Sequence, residues 1–125
     1  MPTLLVVEDD KMLREAYEHK LRKEGFTVVT AEDGDVALDT FQAARPDLVV
    51  LDLVMTKRSG LEFLDEVAKL ADERLRGTPV IVMTNVTQPG YIEQVKTHGV
   101  REYLVKSDTT MGSLVEKIKK HLAPA

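Results

Sequence analysis

The sequence predicts an α/β domain with helices on both faces of a parallel five-stranded sheet, doubly wound in the strand order 2-1-3-4-5. Three observations carry this expectation. Five short apolar runs alternate strictly with stretches of helical period, glycine and proline fall between them, and the runs differ in how continuous their apolar character is. The 125 residues suit one domain, expected to span 1–125, and contain no repeat or linker.

The first strand is Leu4-Val7, an unbroken apolar run. Leu13, Ala16, Tyr17 and Leu21 follow at offsets 0, 3, 4 and 8, the spacing of one helix face, and Gly25 ends that helix. Thr27-Ala31 is β-branched but mixed in polarity, as an edge strand is. A helix from Val36 to Ala44 carries Ala37, Leu38, Phe41 and Ala44, and Pro46 precedes the third strand, Leu48-Leu51. Leu61, Leu64, Ala68 and Ala71 at offsets 0, 3, 7 and 10 predict the third helix. Gly77 and Pro79 introduce the strand Val80-Met83, while the segment Pro89 to His98, closed by Gly99, has only Ile92 and Val95 as its stripe. A three-residue strand, Tyr103-Val105, lies between Glu102 and Lys106, and the last helix bears Met111, Leu114, Val115, Ile118 and Leu122 at offsets 0, 3, 4, 7 and 11.

Alternation of this kind implies right-handed crossovers. Strands buried on both faces read as continuous apolar runs, so the first, third and fourth are central and the second and fifth are edges. In the order 2-1-3-4-5 a ligand site forms at the carboxyl ends of strands one and three.

Composition removes several classes of function. With no cysteine the chain has no disulfides, thiolate metal site or thiol chemistry. A net charge of −4 argues against nucleic acid or an anionic membrane as chief partner. No apolar run approaches the roughly 20 residues of a membrane span, and Met1-Pro2 leads into the first strand without a basic start, so a cytoplasmic location is expected. The tail Ala123-Pro124-Ala125 is too short to act as an effector. His19, His98 and His121 lack metal spacing and read as surface residues, and Lys117, Lys119, Lys120 and His121 suit the negative end of the last helix.

The two strand ends that meet in this topology carry acids: Glu8-Asp9-Asp10 after the first strand and Asp52 after the third. Asp10 is placed to cap the following helix. Each like-charged pair within about 4 Å costs about 4 kcal/mol at an effective dielectric near 20, so Glu8, Asp9 and Asp52 together call for compensation. Clustered carboxylate oxygens with a carbonyl and waters suit octahedral Mg²⁺. Lys106, after the fifth strand, offers a second compensating charge, although a lone lysine there is by default solvent-facing. Thr84, at the end of the fourth strand, offers a hydroxyl to a bound anion. These are the parts needed to make and hold an acyl phosphate.

From Leu4 to Leu122 the chain resembles a response-regulator receiver domain of the chemotaxis type. The resemblance is carried by Leu5-Val6-Val7-Glu8-Asp9-Asp10, Ala31-Glu32-Asp33-Gly34, Val50-Leu51-Asp52-Leu53-Val54-Met55, Gly60-Leu61, Val82-Met83-Thr84 and Tyr103-Leu104-Val105-Lys106 in that order. It implies a flavodoxin-like (βα)5 three-layer sandwich. It further implies Asp52 as phosphoacceptor, Asp9 as a direct Mg²⁺ ligand, Glu8 as a ligand through water, and the Val54 carbonyl as the backbone ligand. Thr84 and Lys106 would bind phosphoryl oxygens. Tyr103 would be the switch aromatic, reshaping the face made by the fourth predicted helix, the fifth strand and the fifth predicted helix; its plainer reading is a half-buried edge-strand aromatic. The implied partners are a sensor histidine kinase or phosphotransfer protein and a downstream protein. The domain would catalyse its own aspartyl phosphorylation and slow dephosphorylation without being a metabolic enzyme. The competing reading is a pseudo-receiver, a binding module that works without phosphorylation.

Departures from the receiver pattern qualify these expectations. Ser107 stands where a proline, normally preceded by a cis peptide, follows the lysine; a cis bond without proline costs about 2.5–4 kcal/mol, which leaves a trans bond with a rearranged loop or a strained site. Thr56 replaces another common proline. Lys57-Arg58 reads as a solvated loop pair, or as a docking contact or an aid to phosphodonor capture. Asn85 replaces a small residue and is expected to narrow access to the phosphate. Arg101-Glu102 lacks the paired acids of regulators that dimerise through this face to bind DNA, so no direct DNA binding is expected.

Overall fold

The computed structural model describes residues 1–55 and 57–122; Thr56 and the tail Ala123-Pro124-Ala125 lie outside the described residues. Strands β1 (Thr3–Val7), β2 (Thr27–Ala31), β3 (Leu48–Leu51), β4 (Val80–Thr84) and β5 (Glu102–Val105) form one parallel sheet in the order β2-β1-β3-β4-β5. The helices are α1 (Lys11–Lys23), α2 (Gly34–Ala44), α3 (Gly60–Ala68), α4 (Glu73–Arg76), α5 (Pro89–Lys96) and α6 (Met111–Leu122), with a 3₁₀ turn at Lys106–Asp108.

Strand alternation divides the core in two. Leu4 and Val6 point with Tyr17, Leu21, Leu114, Val115 and Ile118 into the layer under α1 and α6. Leu5 and Val7 point the other way, with Phe41, Phe63, Leu64, Val67 and Val95, into the layer under α2, α3 and α5. Phe41 and Phe63 meet edge to face, with centroids 5.7 Å apart, and so join α2 to α3. The helix starts are local products of sequence: Asp10, Asp33 and Ser59 accept the backbone N–H of Leu13, Val36 and Glu62 at 3.1, 2.9 and 3.2 Å.

Two expectations need correction. The third helix does not reach Ala71 but stops at Ala68, and one further helical turn, α4, follows. Asp72 caps that turn through the N–H groups of Arg74 and Leu75, Leu75 is buried beneath it, and Arg76 donates back to the Leu70 and Ala71 carbonyls. A hydrophobic period cannot register so short a capped turn. His98 and His121 are not free surface residues either. Their rings are half-buried and bonded to Asp65 at 2.6 Å and Glu102 at 2.7 Å, whereas His19 is exposed.

Candidate functional site

Register brings the acids together. Val7 of β1 pairs with Leu51 of β3, so the next residue on each strand, Glu8 and Asp52, emerges side by side at the carboxyl edge. Their backbones remain in the sheet, with Glu8 N–H donating to Ala31 and Asp52 N–H to Val7, both at 3.1 Å. Glu8 is 2% exposed and Asp52 6% exposed, while Asp9 is open to solvent. One oxygen from each of Glu8, Asp9 and Asp52 can be chosen so that all three lie within 4.8 Å of one another.

Lys106 compensates them. Its Nζ donates to Glu8 Oε1 at 2.6 Å and to Asp52 Oδ2 at 2.8 Å, and its side chain is only 14% exposed. The default solvent-facing reading of this lysine is therefore wrong. Burial lowers its proton affinity, but the bonds to Asp52 and Glu8 outweigh this and hold the ammonium above its ordinary pKa. Burial raises the Glu8 carboxyl above its usual value, against the lowering effect of the Lys106 bond and the Asp10 N–H.

Val54 and Thr84 line the same cavity of about 420 Å³ as Glu8, Asp9, Asp52, Asn85 and Lys106, whereas Tyr103 lies outside its lining. Thr84 ends β4 and is 1% exposed. Val54 gives its N–H to Asp52 Oδ1 at 3.2 Å and leaves its side chain 61% exposed at the rim. Tyr103 is half-buried, packs against the α2–α5 core and donates its hydroxyl to the Val86 carbonyl at 2.7 Å, so the plainer reading of this residue holds in this conformation. Burial raises its phenol above the usual value.

The β3–α3 loop is held close by two glycines. A Cβ on Gly60 would lie 2.6 Å from the Asp52 carbonyl, and one on Gly34 would lie 1.9 Å from that of Arg58. Arg58 Nε reaches Asp35 at 3.1 Å and Lys57 Nζ reaches Asp33 at 3.6 Å. Neither cation lines the acidic cavity. Arg58 ties the loop to the start of α2, while Lys57, 65% exposed, stays on the solvated side, in keeping with the solvated-loop reading.

Of the two alternatives at Ser107, the structure has the first: no cis peptide occurs among the described residues, and Lys106–Asp108 form a 3₁₀ turn. Arg14 is a participant that the sequence did not single out. Its guanidinium donates to the Glu8 and Asp9 carbonyls at 3.0 and 3.4 Å, clamping the acidic loop from α1. An arginine one turn into a helix offers no distinguishing signal.

Hard oxygen donors within a few ångströms, facing a cavity and only partly neutralised by one ammonium, fit a divalent cation such as Mg²⁺. They line a cavity at the switch point of a doubly wound sheet, where ligands of this fold class bind. Residues 4–119 match the family model of the response regulator receiver domain, and the chain belongs to that family. It is 33% identical to the transcriptional regulatory protein PdtaR of Mycobacterium tuberculosis over 104 residues, 82% of this chain and 48% of that protein. It thus spans about half the length of that relative. Against the polar-differentiation response regulator DivK of Brucella anthropi it is 28% identical over 123 residues, 98% of both chains. The solved structure of chemotaxis protein CheY4 of Vibrio cholerae superposes with a TM-score of 0.86 at 30% identity, covering 96% of this chain and 98% of that one.

Proposed function

We propose that this chain is a phosphorylatable switch in which Asp52 accepts a phosphoryl group from a sensor histidine kinase, a phosphotransfer protein or a small acyl phosphate. The observation that carries the reading is the Lys106 ammonium set between Glu8 and Asp52, beside Thr84 and Asp9. An Asp52 oxygen attacks phosphorus, the bond from phosphorus to the donor breaks, and the donor leaves with that electron pair. Lys106 and the Thr84 hydroxyl take up the phosphoryl oxygens. Glu8, Asp9, Asp52 and the Val54 carbonyl would hold Mg²⁺, with Glu8 acting through water. When bound, the ion supplies neutralisation of the charge on the phosphoryl oxygens. The same groups support slow hydrolysis, with Val54 and Asn85 governing the approach of water.

Output on this proposal passes through α5, β5 and α6. Thr84 moves toward the phosphoryl group, and Tyr103, whose hydroxyl here donates to the Val86 carbonyl, swings inward with it and reshapes this face. The partner is a downstream protein rather than DNA or membrane, residues 1–125 act as one domain, and the location is cytoplasmic. No helix among the described residues is long and apolar enough to cross a membrane. The pseudo-receiver alternative is not favoured, because the acids, the lysine and the hydroxyl are all in place.

Intact-mass measurement after incubation with acetyl phosphate and Mg²⁺ tests the proposal. A single phosphate adduct that is lost in Asp52→Asn is expected. An adduct that survives this substitution, or no adduct from acetyl phosphate or a phosphorylated kinase, overturns it.

A further inference from the structure

Two departures from the receiver pattern, Asn85 and Ser107, are bonded to each other: Asn85 Oδ1 accepts the Ser107 backbone N–H at 3.0 Å. Only the amide oxygen can meet an N–H, so the orientation of the Asn85 amide is set. The β4–β5 ladder ends at the pair Thr84 and Val105. The Asn85 side chain continues the seam one rung further, at the point where Thr84 and Lys106 project into the acidic cavity.

The peptide joining Lys106 to Ser107 is planar, so pinning the Ser107 N–H fixes that plane and with it ψ of Lys106. Downstream, the Thr109 hydroxyl donates to the Val105 carbonyl at 2.8 Å and the Thr109 N–H to the Lys106 carbonyl at 3.3 Å. Lys106 therefore leaves the sheet between two clamps, which direct its side chain to Glu8 and Asp52. A serine after the lysine has none of proline's restriction of φ, so the turn needs an acceptor from outside. Alanine or glycine at position 85 offers none, and aspartate would add a fourth carboxylate to the cavity. Asparagine accepts without charge.

We propose that Asn85 is a positioning residue for Lys106, and that Asn85 and Ser107 together replace the proline that follows the lysine elsewhere in the family. This rests on Asp52 phosphorylation as proposed above. With saturating Mg²⁺, Asn85→Ala is expected to slow the initial rate of Asp52 phosphorylation by acetyl phosphate roughly three- to tenfold, the population change from one lost hydrogen bond of ordinary net strength. In a Ser107→Pro background, which has no N–H to accept, the same substitution should change the rate by less than about twofold. A single-variant rate equal to or above the parent's overturns the proposal and makes Asn85 only an obstruction at the cavity. Equal losses in both backgrounds also overturn it. If Ser107→Pro does not fold, Asn85→Asp takes its place: it keeps the acceptor and should restore the Ser107 amide protection that Asn85→Ala loses. Unchanged protection in Asn85→Ala overturns the pairing. A parent that takes no phosphoryl group overturns the functional reading itself, whereas a phosphorylated parent with an indifferent Asn85 overturns only this inference.

Discussion

Replacing Lys106 by methionine keeps most of the apolar stem and removes the charge between two buried carboxylates. Glu8 and Asp52 have oxygens within 4.8 Å of each other, which at an effective dielectric near 20 is a repulsion of about 3.5 kcal/mol. Removing one partner from a buried ion pair costs about 3–5 kcal/mol, in the same range. The cost is capped because Glu8, whose pKa burial already raises, takes up a proton instead. For a domain of this size the loss corresponds to a fall in melting midpoint of roughly 10–20 °C. The assay is thermal unfolding by circular dichroism in chelator, with and without added Mg²⁺, at neutral and mildly acidic pH. The deficit should shrink on acidification as Glu8 becomes neutral, and shrink again with Mg²⁺. A midpoint in chelator equal to the parent's would show that the carboxylates do not need Lys106 and would refute the electrostatic account of the site.

Three further outcomes are expected. Asp52→Asn leaves Lys106 an oxygen acceptor and lowers the excess negative charge, so it should raise the metal-free melting midpoint and reduce the further rise caused by Mg²⁺; a midpoint at or below the parent's contradicts this. Gly34→Ala drives a Cβ to 1.9 Å from the Arg58 carbonyl and should cost about 1–3 kcal/mol in denaturant unfolding, whereas an unchanged transition would show that the loop yields freely. Glu102 is held below its ordinary pKa by the His121 hydrogen bond, with Lys117 and Lys120 adding to it against the opposing effect of burial. Its stabilisation is present above the unfolded value and is lost as pH falls through the folded one, so between about pH 6 and pH 3 the parent should lose more stability than Glu102→Gln.

The strand order was legible because Leu4-Val7, Leu48-Leu51 and Val80-Met83 are apolar throughout while Thr27-Ala31 is not. That order alone brought Glu8, Asp9 and Asp52 to one edge. Lys106 was legible as a compensating charge at the acidic edge, but its bonding partners were not: a lysine after an edge strand looks the same whether it faces water or bridges two carboxylates 98 and 54 residues earlier in the chain. The same holds for the Asn85–Ser107 bond, since each residue read singly was only an irregularity. Lys57 and Arg58 were visible as charges, but their direction depended on Gly34, whose missing Cβ lets the loop pass over α2. Turn α4 owes its existence to Asp72 capping and Leu75 burial, which leave no periodic trace.

β5 is joined to the sheet along one side, and each of its four residues is half-buried, whereas every residue of β4 is buried. Local openings draw on the weakest part of a fold, and an edge of this kind parts from its neighbours for a fraction of the free energy that unfolds the whole domain. The sheet thus carries a gradient of rigidity from β1 and β3, which end in the carboxylates, to β5, which holds Tyr103. Chemistry at the stiff strands needs atoms held to fractions of an ångström, while recognition by changing partners needs a surface that can be remade cheaply. Both demands are met within one sheet, two to three strand spacings apart.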